Sequence, residues 1–93
     1  LILSSNGRIL NSDLQQIGTL SNPVMDGVWL SDGLYTIRVR PSGTEVQKWN
    51  RITYAKTGSV TARGIPLRIF KMDAKVVVVV SLVDGYVTFS LIS

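Results

Sequence analysis

Five consecutive valines, Val76 to Val80, constrain this chain more than any other feature. Successive side chains of a strand point to opposite faces, so such a run is apolar on both. A simple two-layer sandwich leaves one face wet, and its strands alternate. A strand that is greasy on two sides needs cover on two sides, from its own chain or from a neighbouring subunit. Left bare, it is an aggregation site. The sequence therefore places Val76, Val78 and Val80, with Val87, Phe89 and Leu91 of the segment that follows, in the core and at a subunit seam. An acidic residue at Val78 is expected to abolish folding or assembly.

Turn signals divide the rest of the chain into short pieces. Asn6-Gly7, Asp26-Gly27, Asp32-Gly33, Pro41-Ser42-Gly43, Lys56-Thr57-Gly58, Arg63-Gly64 and Asp84-Gly85 fall at near-regular spacing, and Asx-Gly pairs supply the positive φ of tight hairpins. Between them lie β-branched and aromatic runs that suit a pleated surface. In Leu34 to Arg40, Tyr35, Ile37 and Val39 alternate with Thr36, Arg38 and Arg40. Glu45 to Ala55 reads as the next strand, with a phase slip between Val46 and Trp49 that a bulge would explain. Ser59 to Arg63 and Leu67 to Met72 follow. Lys75 to Val83 and Tyr86 to Ile92 form a hairpin about Asp84-Gly85. The one helical hint is Ser12 to Ile17, with Ser12 or Asn11 as cap and Gly18 as stop.

This pattern predicts an all-β chain, a small antiparallel sandwich or barrel of about six to eight strands, built as an oligomer. Ninety-three residues make one domain, 1–93, in which 1–25 reads as an irregular arm or a linker to an upstream region. A start at Leu1 instead of Met suggests a processed product or an excised domain. No secretory signal is legible near the start. The longest apolar stretch, interrupted by Ser81, is far short of the roughly 20 residues of a spanning helix. At 45% hydrophobic and 17% charged, the chain is greasier than ordinary soluble domains, which points to self-association.

Chemistry is scarce. Without histidine the chain lacks the commonest general base, metal ligand and partner of a nucleophilic serine. Without cysteine it lacks thiol nucleophiles, disulfides and the usual zinc sites. Three of the six acids, Asp26, Asp32 and Asp84, precede glycine and read as turn residues. The expectation is a non-enzymatic protein with no cofactor and no metal.

Binding has more to use. Arg38, Arg40, Lys48 and Arg51 cluster around the Pro41-Ser42-Gly43 turn with Tyr35, Trp49 and Tyr54 interleaved. A basic, aromatic sheet face binds single-stranded nucleic acid, as small barrels do. The plainer reading puts the arginines on a solvated face and the aromatics in the core. Trp29, beside the Ser31-Asp32-Gly33 turn, is either a recognition aromatic or the plug of one barrel end. Net charge is +4, arising from ten basic residues against six acids, with no basic run.

The segment Gly33 to Thr53 resembles segments in the distal parts of bacteriophage tail fibres, in which a strand bearing Y-x-x-R precedes a turn and then W-x-R-I/T. The matching positions are Tyr35, Arg38, Trp49, Arg51 and Ile52, about a fifth of the chain. The resemblance implies a structural or receptor-binding module of a virion, a homotrimer in fibre or baseplate that contacts a host-surface glycan or protein. Two other readings stay open: a small basic barrel on nucleic acid, and a bacterial surface or pilus-type subunit that exchanges strands.

Overall fold

The computed structural model describes residues 2–3, 7–11, 13–73 and 76–92. It is all-β, with every strand pairing antiparallel. A small three-stranded sheet holds β1 (Ile2–Leu3), β2 (Arg8–Leu10) and β3 (Gln16–Thr19), in that order. The largest sheet orders β4 (Asp26–Leu30), β5 (Gly33–Arg40), β6 (Gly43–Trp49) and β7 (Lys56–Ala62) as consecutive hairpins. The third places β9 (Val77–Val83) between β8 (Ile65–Lys71) and β10 (Tyr86–Ile92). Among the described residues no helix is long and apolar enough to cross a membrane.

The four-stranded sheet is the middle layer, and each of its faces covers a separate core. Tyr35, Ile37, Val46 and Leu30 pack against Ile69, Val77 and Val79 of the β8–β9–β10 sheet. Leu34 and Trp49, on the opposite face, pack against Ile9, Leu20 and Val24, with Leu3, Trp29 and Tyr54 half-buried around them. β5 is therefore covered on both sides, with Gly33 to Ile37 all buried, and so is the neighbouring β6. The apparent alternation of β5 hides this, because the second face is filled by Leu34 and by Thr36, whose hydroxyl has a partner indoors. The 1–25 segment, expected as an irregular arm, contributes the β1–β2–β3 sheet and three residues of the second core.

The valine run corrects the expectation built on it. Val77 and Val79 have no exposure and face the middle sheet. Val78, Val80 and Leu82 point outward, and only Val80 is closed off (7% exposed). Val76 lies before the strand, where its carbonyl accepts from the N–H groups of Met72 and Asp73 at 2.9 and 3.2 Å. On β10, Val87, Phe89 and Leu91 are 57%, 66% and 66% exposed. They are not core residues within one chain. The run is apolar on both faces, as read, but its own chain covers one of them.

Local chemistry explains the other differences. The β9–β10 hairpin forms as expected: Asp84 (φ 52°) and Gly85 (φ 83°) are both left-handed, the type I′ geometry that Asp-Gly favours. Asp26-Gly27 is not a turn but the start of β4. Lys56, Thr57 and Gly58 belong to β7. The strand expected to reach Ala55 ends at Trp49, because the Asn50 carboxamide oxygen accepts from the Ile52 and Thr53 N–H groups at 2.8 and 2.9 Å and folds a tight loop. The phase slip between Val46 and Trp49 needs no bulge in β6: the two residues sit on opposite buried faces. The register shift lies in the pairing with β7, where Lys48 faces Gly58 and Trp49 faces Lys56. Asn11 caps a turn, accepting from the Asp13 and Gln15 N–H groups at 3.0 Å each, but no helix follows. Ser12, Asn6 and Lys75 lie outside the described residues.

Candidate functional site

Two surfaces stand out, a cleft at one end of the middle sheet and the outer face of β8–β9–β10. The cleft, about 430 Å³, is lined by Val46, Val60, Ile92, Gly58, Ser59, Tyr35, Lys48 and Asp32. Its floor is apolar and its rim carries a linked polar group. The Lys48 ammonium donates to Asp32 Oδ2 at 2.8 Å and stands 5.4 Å from the centre of the Tyr35 ring. The Tyr35 hydroxyl donates to the same oxygen at 3.3 Å. The hydrogen bond from Lys48 holds the Asp32 carboxyl below its ordinary value, and the same bond raises Lys48. Both ends of the pair are substantially exposed, so it contributes little to stability.

The expected basic cluster is divided by the fold. Arg38 and Trp49 share one face of the middle sheet, since Leu34 pairs with Trp49 and Arg38 with Glu45. Tyr35 and Lys48 share the other. Arg38 Nε donates to Glu45 Oε1 at 2.6 Å, and that bond lowers the Glu45 carboxyl against the opposing effect of burial. Arg51 Nη1 donates to the carbonyls of Ser31 and Leu30 at 3.2 and 3.4 Å, bracing the β4–β5 turn. Arg40 is exposed beyond the core, and its charge also lowers Glu45. Trp29 lies within β4, half-buried over the second core, and not at a loop tip. The six candidate binding residues are thus divided between the two faces and, for Arg51, the loop after β6, and three of the four cations are held by partners inside the chain.

The outer face of β8–β9–β10 is different in kind. Directly opposed residues of an antiparallel pair project to the same side. The pairings Val78–Leu91, Val80–Phe89 and Leu82–Val87, with Phe70–Val78 and Ile65–Leu82, therefore put eight apolar side chains on one face. Ile65 and Phe70 are 58% and 40% exposed. Among the described residues the one charge projecting there is Arg68, whose guanidinium lies 5.3 Å from the Phe70 ring centre. Patches of this extent on monomers usually mark an interaction surface. Ile65 and Phe70 escaped the sequence reading because a register shift between Pro66 and Arg68 breaks the alternation of β8. Asp32 escaped it as a turn residue. Scans against protein families, curated proteins and solved structures find no match to this chain.

Proposed function

We propose that this chain is a non-enzymatic structural module that associates with copies of itself through the β8–β9–β10 sheet. The observation that carries the reading is the outer face, where Val87, Phe89 and Leu91 stand exposed beside Val78 and Leu82. An apolar β surface of this kind, with Arg68 its one charge among the described residues, is stable in water chiefly when another surface covers it. The tail-fibre resemblance of Tyr35, Arg38, Trp49, Arg51 and Ile52 supports a virion appendage as the setting. It implies three copies and a host-surface glycan or protein as the eventual contact. The nucleic-acid reading is supported less, because Arg38, Lys48 and Arg51 spend their donors on Glu45, Asp32 and backbone carbonyls. Light scattering over a concentration series tests the proposal. It should return a mass of two or more chains, and a single-chain mass throughout would overturn it.

A further inference from the structure

Sheet edges in natural proteins carry devices against unwanted pairing: charges, proline, bulges, shortness or a covering element. Each edge of this molecule but one has such a device among the described residues. β7 has Lys56, Gly58 and the register shift at Lys48/Trp49. β8 has Pro66, a register shift and two cations, and the N–H of Ile69 is taken by Asp26 Oδ2 of β4 at 3.2 Å. That same bond joins the β4 edge to β8. β1 and β3 are two and four residues long. β10 has none of these. Its sequence, Tyr-Val-Thr-Phe-Ser-Leu-Ile, holds no charge, proline or glycine, and its seven pairings with β9 run without a shift.

Resting on the self-association reading above, we infer that the free edge of β10 pairs with β10 of a second copy, antiparallel about a two-fold axis at Phe89. The two-residue turn makes Val83–Tyr86 a hydrogen-bonded pair. Alternation then turns the backbone groups of Thr88, Ser90 and Ile92 toward β9, and those of Val87, Phe89 and Leu91 away from it. The outward groups are centred on Phe89, so the strand complements itself. Phe89 of each copy meets its counterpart, and Val87 of each meets Leu91 of the other. All three side chains lie on the outer face, so pairing sets the apolar stripes side by side in one six-stranded sheet. No other described strand offers a second copy an uncharged, unshifted edge of this length. One such edge per chain joins copies in twos, in contrast to the three that the tail-fibre resemblance implies.

Three variants and one exchange measurement test the pairing. Val87→Pro removes an outward N–H that β9 does not use, which edge strands tolerate. Ile65→Lys places a charge on the outer face two strands away. The wild type and Ile65→Lys should both measure as two chains, and Val87→Pro as one folded chain with unchanged far-ultraviolet dichroism. In the wild type, the amides of Val87, Phe89 and Leu91 should exchange at least tenfold more slowly at associating than at dilute concentration. This holds the test open even if Val87→Pro does not fold. A three-chain wild type, or association lost in Ile65→Lys and kept in Val87→Pro, would overturn edge pairing while leaving self-association standing. A wild type that is always a single chain would end both.

Discussion

The indole Nε1–H of Trp49 donates to the hydroxyl of Thr36 at 2.9 Å, with both residues wholly buried between the middle sheet and the N-terminal sheet. The bond lets a polar side chain sit on the second buried face of β5. Its worth is best seen by removing one partner. Thr36→Val keeps the shape but leaves the indole donor unpaired, which costs about 1–3 kcal/mol. Adding Trp49→Phe should return part of that loss, because no donor then lacks an acceptor. Urea unfolding of the two single variants and the double variant measures the coupling.

Gly64 turns the chain from the middle sheet into β8 at φ 89°. A β-carbon there would run into the Leu82 carbonyl oxygen and the Val83 side chain. Gly64→Ala should therefore cost at least about 1–3 kcal/mol, the scale of a residue held in an unfavourable backbone region. Gly85→Ala, with open space around it, should cost only the conformational part. Thermal melts of the two variants compare them directly.

Acid should weaken the fold partly through Glu45. The Arg38 hydrogen bond lowers its carboxyl in the folded chain. Its stabilising contribution is therefore complete above the unfolded glutamate value of roughly 4.3. It is lost as pH falls through the lower folded value. Glu45→Gln should flatten the stability profile below about pH 4.3 and lower the plateau above it. Denaturant midpoints from neutral to acid pH would show a parallel acid limb if the bond were unimportant.

The two faces of β9 should respond differently to a charge. Val79→Asp buries a carboxylate in the core beneath the middle sheet and should leave the chain unfolded by circular dichroism. Val78→Asp sets a carboxylate on the half-open outer face directly opposite Leu91 of the pairing strand, and should leave a folded chain that associates less. From the sequence, Val78→Asp was expected to abolish folding or assembly. The structure separates folding from assembly there.

Ser81 is fully buried on the inner side of β9, and its hydroxyl has no hydrogen-bond partner among the described residues. Ser81→Ala removes an unpaired polar group at little cost in packing. It should raise stability by up to about 1 kcal/mol in denaturant titration. A clear loss would mean that the hydroxyl is satisfied in solution.

Local chemistry was enough to foresee much of this protein. Asp84-Gly85 determined the final hairpin and its register, because two left-handed residues in succession accept only a tight turn. The β-branched runs fixed an all-β chain, and the valines announced an apolar strand. Which strands lay between two cores was decided only in three dimensions. Leu34, Thr36 and Trp49 look like the alternate positions of a half-wet strand until Ile9 of the N-terminal sheet, with Leu20 and Val24 beyond it, arrives to cover them. The partners of Arg38 and Lys48 were likewise invisible, since Glu45 and Asp32 reach them through strand register and side-chain packing. Periodicity records which way a side chain points, whereas what it meets there depends on segments far away in the chain.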